Sequence, residues 1–113
     1  MTVAFSLSEF KTNPEIYTFL HLHGRNIGPK GVQYLARALA GNETLTSLNL
    51  SSNNIGPEGV QHLVSAMECN KTLTKLNLAY NDIGSEEVQH LVSCLKDNKT
   101  LTSLDLSFND IVI

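Results

Sequence analysis

The chain has 113 residues, 42% of them hydrophobic and 17% charged, with a formal net charge of −3, the balance of one small folded domain rather than a disordered segment. Its eight Lys and Arg are scattered, which excludes a nucleic-acid partner, since phosphates are neutralised by clustered cations. No apolar run approaches the roughly 20 residues that span a bilayer, and the opening MTVAFSLSEFKTN lacks the basic start and continuous apolar stretch of a secretory signal, so neither a membrane role nor export is expected. The two cysteines, Cys69 and Cys94, have no metal-ligand spacing and read as unlinked thiols in a reducing, cytoplasmic setting.

In chain order, residues 1–15 stand apart and read as an N-terminal cap. Val3, Leu7 and Phe10 lie at i, i+4 and i+7 and predict a short helix over the first unit, stopped by Asn13-Pro14. From about residue 16 the chain repeats with a period of 28, as units 17–44, 45–72, 73–100 and a partial 101–113. Units two and three are identical at 18 of 28 positions on direct comparison. Self-similarity at such a period signals stacked supersecondary units.

Each unit changes rhythm halfway. Leu20/Leu22, Leu48/Leu50, Leu76/Leu78 and Leu104/Leu106 alternate with polar residues, the period of a short strand with one buried face. Helical spacing follows, in Val32, Leu35, Ala36 and Leu39, then Val60, Leu63, Val64 and Met67, then Val88, Leu91, Val92 and Leu95. Gly56 suits an unusual turn and Pro57 a first helical turn. Glu58, Glu86 and Glu87 sit where a helix dipole favours negative charge, and Asn42, Asn70 and Asn98 close the helices. One strand and one helix cannot cover their own apolar faces, so neighbouring units must. Strands stack about 4.8 Å apart and helices about 8–10 Å. The stack therefore curves, with a parallel sheet on its concave face and helices on its convex face.

The segment LTSLNLSSNNI fits the LxxLxLxxNxI core of leucine-rich repeats. The 28-residue length and the GPEGVQHL helix resemble the ribonuclease-inhibitor-like subfamily, as in ribonuclease inhibitor, Ran GTPase-activating proteins and cytosolic nucleotide-binding leucine-rich-repeat receptors. The resemblance implies a right-handed α/β horseshoe that binds proteins and carries no chemistry and no cofactor. It also implies a buried asparagine at Asn53, Asn81 and Asn109, bonding turn backbone groups. The first unit has Arg25 in that place, the departure expected of a terminal copy.

The outward strand face is the candidate binding surface. Its rows run Phe19, Ser47, Lys75, Ser103; His21, Asn49, Asn77, Asp105; His23, Ser51, Ala79, Ser107; and Gly24, Ser52, Tyr80, Phe108. His21, His23, Asn49, Ser51, Lys75, Asn77 and Asp105 are candidate contacts, with Tyr80 and Phe108 as leading anchors, since aromatics are favoured hot-spot residues. His21 and His23 share a face, but a zinc site needs three or four ligands, so no metal is expected. His62 and His90, with Tyr34 before them, repeat one outward helix position. The sequons at Asn42, Asn70 and Asn98 recur with the period and are explained by it; Asn49-Leu50-Ser51 is mid-strand, a poor place for a glycan. No nucleophile–base pair or phosphate loop breaks the repeat pattern, so no enzyme is expected.

These readings make the chain a protein–protein interaction module. The alternatives are a regulator of an enzyme, such as a GTPase activator, or a fragment of a cytosolic sensor receptor or host-mimicking bacterial effector. The unfinished edge of the last strand is a further candidate surface, for self-association.

Overall fold

The computed structural model describes residues 2–111. Five parallel strands form one sheet in sequential order: β1 (Val3–Ala4), β2 (Phe19–His21), β3 (Ser47–Asn49), β4 (Lys75–Asn77) and β5 (Ser103–Asp105). Between them run α1 (Leu7–Thr12), a 3-10 turn at Pro14–Ile16, α2 (Gly28–Gly41), α3 (Gly56–Cys69) and α4 (Ser85–Asp97). The chain is thus an α/β leucine-rich-repeat solenoid, strands along one side and helices along the other.

The 28-residue period becomes strand register. Leu20 pairs with Leu48, Leu48 with Leu76 and Leu76 with Leu104. Leu20, Leu48 and Leu76 are at most 2% exposed, and Leu22, Leu50 and Leu78 are fully buried, so the inward leucines form one shared spine. A threonine ladder reinforces the register. The N–H and hydroxyl of Thr46 both donate to the Thr18 carbonyl, and Thr74 and Thr102 repeat this on Thr46 and Thr74.

The N-terminal segment differs from the helix expected across Val3, Leu7 and Phe10. Only Leu7–Thr12 is helical; Val3 and Ala4 are extended and pair with Phe19 and Leu20. Ser6 sets the boundary. Its hydroxyl accepts from the Glu9 N–H while the Glu9 carboxylate accepts from the Phe5 N–H, a reciprocal cap that fixes the helix start after Ser6. Ahead of that start, β1 supplies partners for the edge of β2.

The helix stripes of α2 and α3 are buried as their spacing requires, except for the half-buried Val64. The stripe of α4 is not: Leu91 is buried, but Val92 is 48% exposed. Its equivalents explain the difference. Ala36 is buried and Val64 half-buried because each faces the next helix, whereas no helix packs beyond α4 among the described residues. Leu104 and Leu106 are half-buried for the same reason.

Two asparagine ladders satisfy the turns. Asn53 accepts from the N–H groups of Arg25 and Ile27 and donates to the carbonyls of Leu22, Leu50 and Ser51. Asn81 and Asn109 repeat the pattern one and two units on. Arg25 keeps the turn geometry, because its backbone N–H reaches Asn53 as Asn53 reaches Asn81, and its guanidinium bonds the carbonyls of Phe5 and His23. The second ladder is Asn42, Asn70 and Asn98, which cap the helices. Each side-chain oxygen accepts from the second and third following N–H groups. The amides of Asn70 and Asn98 donate to Leu39 and Met67 of the preceding units. All three are buried, so their sequons are products of the fold with no space for a glycan.

Candidate protein-binding face

The outward strand face has three zones. At the β1 end, the His21 ring lies between Phe5, at 6.0 Å between centroids, and Phe19, at 5.9 Å. Phe5 is 54% exposed and lies outside the repeat, so the period gives no signal for it. The pairing of Val3 with Phe19 is what places Phe5 beside His21.

The middle zone is polar. The Asn49 side-chain oxygen accepts from the backbone and hydroxyl of Ser51, and the Asn77 oxygen accepts from the Ala79 N–H. These local turns fix both amides with their NH2 groups unpartnered among the described residues, beside the exposed Lys75. The zone therefore offers hydrogen-bond donors. A shallow depression of about 240 Å³ opens here, lined by Phe19, Ser47, Asn49, Lys75, Asn77 and Asp105 among others. Ser51 lies on this side but is buried, as is Ala79, because small residues in the middle of the row are covered by their neighbours. The Ser51 hydroxyl donates to Asn49, so its oxygen receives the Nδ1 proton of His23 at 2.6 Å. Ser51 thus orients the exposed His23 and offers little surface itself.

Asp105 closes the row. Its carboxylate accepts from the hydroxyl and N–H of Ser107, and the hydroxyl first, then the N–H, holds its pKa below the ordinary carboxylate value. A lowered folded-state pKa adds stability that is present above the ordinary carboxylate range and fades as pH falls through the lowered value. Ser107→Ala is expected to move the Asp105 titration back up, as read by carboxyl carbon NMR. An unmoved midpoint would contradict this hydrogen bond.

The third zone is the rim, where strand turns toward helix. Gly24, Ser52, Tyr80 and Phe108 all adopt left-handed backbone, with φ between 56° and 62°. For bulky aromatics this conformation is disfavoured. It persists because the turn is over-determined. The N–H of Ser52 donates to the Ala79 carbonyl, that of Tyr80 to the Ser107 carbonyl, and the asparagine ladder fixes the next residue. The Tyr80 and Phe108 rings stack at 4.5 Å between centroids with planes 4° apart, and are 54% and 72% exposed. They are the two most exposed aromatics of the repeat region.

Elsewhere, His90 and Tyr34 are exposed and His62 half-buried on the helix side. A groove of about 510 Å³ between α3 and α4 includes Val64, Met67, His90 and Cys94. Burial and then Glu68 push the Cys94 thiol up, the setting of a packed, protonated cysteine rather than a reactive one; Cys69 is exposed and free. The outer edge of β5, proposed from sequence for self-association, carries half-buried Leu101, Leu104 and Leu106 beside it. No helix of the described residues is long and apolar enough to cross a membrane.

The TMOD/LMOD leucine-rich domain family matches residues 2–110, almost the whole chain. The chain belongs to this family. As a TMOD/LMOD leucine-rich domain it is non-enzymatic, and the leucine-rich-repeat resemblance holds at the level of the repeat. Among solved structures it is similar to "Leiomodin-1 Actin-Binding Site 2 (ABS2)", with a TM-score of 0.80 and 23% sequence identity, over 95% of this chain and 64% of that chain. The TMOD/LMOD domain thus shares that fold and spans less than two thirds of its length. No curated protein matches the chain.

Proposed function

We propose that this TMOD/LMOD domain is a cytoplasmic actin-binding module. In this reading its ribonuclease-inhibitor-like repeats present the outward face of β2–β5 and the adjoining rim to actin. The observation that carries it is the exposed Tyr80–Phe108 stack, held in a backbone conformation that bulky side chains rarely adopt. Large rigid aromatics beside donor-rich polar residues are the composition of an interface anchor. Actin as the partner comes from family membership and from the similar leiomodin-1 actin-binding site. The GTPase-activator and sensor-fragment alternatives draw no support from the family found.

The test is fluorescence anisotropy of labelled monomeric actin with the wild type, Lys75→Glu/Tyr80→Ser and the helix-side control His62→Ala. The wild type and control are expected to bind alike, and the face variant about tenfold or more weaker, the scale of one lost hot spot. Equal binding by all three removes the strand face from the interface. No binding by any removes actin.

A further inference from the structure

Among the positions where the strand-to-helix turn of the third unit departs from the second, two are occupied by left-handed residues. Tyr80 replaces Ser52, and Asp82 replaces Asn54. At these two positions the left-handed backbone is kept while the exposed side chain changes, which marks the side chains as the specialised feature. From this pair we infer that the free ring surface of Tyr80, above Ser52, is a seat for an arginine side chain of the protein partner. The inference deepens the proposed function and rests on its placing of the partner at this rim.

The geometry comes first. One face of the Tyr80 ring is covered by Phe108 at 4.5 Å. With one face stacked, the residue is still 54% exposed, which leaves ring surface free for a further contact. The ring's other face looks toward the preceding unit, where in-register stacking puts Ser52 one strand spacing away. Serine there is too small to stack on the ring as Phe108 does, so a flat group from the partner would continue the stack.

Charge selects the flat group. The turns around Tyr80 and Phe108, residues 78–84 and 106–111, contain Asp82 and Asp110 and no Lys or Arg. Both acids are exposed, as is Asp105 at the end of β5. The first turn has the opposite character, with His23 and Arg25. A planar cation fits an exposed aromatic ring in turns whose charged side chains are all acidic. Guanidinium is planar, always charged and stacks on rings, whereas a lysine ammonium is a hydrated point charge. Asp82, two residues along the same turn, is the carboxylate for the N–H fork.

The probe is the peptide acetyl-Gly-Ser-Arg-Ser-Gly-amide, titrated into the 113-residue domain while Tyr80 ring protons and the Ser52 and Asp82 amides are followed by NMR. Matched peptides carry citrulline, which keeps the planar shape without the charge, or lysine. Arginine is expected to shift these signals at millimolar concentration, about fivefold more tightly than citrulline, the scale of an exposed cation–π contact with a nearby carboxylate. Tyr80→Ser should abolish the effect and Asp82→Asn should weaken it about threefold. Both variants copy unit two, where Ser52 and Asn54 adopt the same backbone, so the fold is retained. Equal shifts from citrulline and arginine, or shifts that map away from Tyr80, overturn the seat. Actin binding that needs the strand face, without arginine selectivity, sinks the seat and leaves the proposed function. Arginine-selective shifts in a domain that ignores actin sink the proposed partner and leave the seat.

Discussion

Asn53→Ala is expected to lower the unfolding free energy by about 4 kcal/mol, measured by urea denaturation. Asn53 is fully buried. Its oxygen receives the N–H groups of Arg25 and Ile27 at 2.9 and 3.1 Å, and its amide reaches the carbonyls of Leu22 and Leu50 at 2.7 and 3.0 Å. Alanine supplies neither donor nor acceptor, and each buried group left unpaired costs about 1–3 kcal/mol. Two such groups already reach the expected value. Against a total stability on the order of 5–15 kcal/mol, that loss is large. It falls on the junction of units one and two, so the first unit should lose amide-exchange protection ahead of the others. Asn77→Ala, at a partly exposed position with one local bond, should cost about 1 kcal/mol or less. Equal effects at the two sites would show that the ladder contributes nothing special.

Leu48→Ala is expected to cost about 3–4 kcal/mol, within the range for buried leucines, and Leu104→Ala about 1 kcal/mol, the range for a partly exposed residue. The two leucines hold the same place in the repeat, and the difference is cover. Leu48 has Leu20 on one side and Leu76 on the other and is 1% exposed, while Leu104 has Leu76 on one side and is half-exposed. A cavity under Leu48 is walled by neighbours that cannot collapse into it. Solvent reaches the position of Leu104 already. Equal costs would mean that the units do not share one spine.

What could be read from sequence followed the period. The leucine rows, the three long helices and the helix-closing asparagines each occupy a fixed place in the 28-residue repeat, and burial there is dictated by a neighbour of the same kind; the asparagine ladder followed from the leucine-rich-repeat resemblance, with Asn53 and Asn81 buried and Asn109 only half-buried at the last strand. The Tyr80–Phe108 contact was legible from the period, since equal places in adjacent units lie one strand apart. Features outside the period were not. Val3 has the spacing of a helix with Leu7 and Phe10, and the Ser6–Glu9 cap together with the pairing to β2 makes it extended. Phe5 reaches His21 through β1, so it was invisible as part of the face. The burial of Ser51 depends on what flanks a small residue in a row, and the exposure of Val92 on what lies beyond α4; neither is a property of the residue itself. The LxxLxLxxNxI core is shared by all leucine-rich repeats, so it identified the repeat and left the TMOD/LMOD family to be recognised over the whole length of the chain.

The most direct measurement is an amide chemical-shift map of the isotope-labelled domain on addition of monomeric actin. Changes are expected at Asn49, Lys75, Asn77, Tyr80 and Phe108, with the outer helix positions Tyr34, His62 and His90 unmoved. Changes confined to those helix positions, or none at equimolar actin, would contradict binding through the strand face.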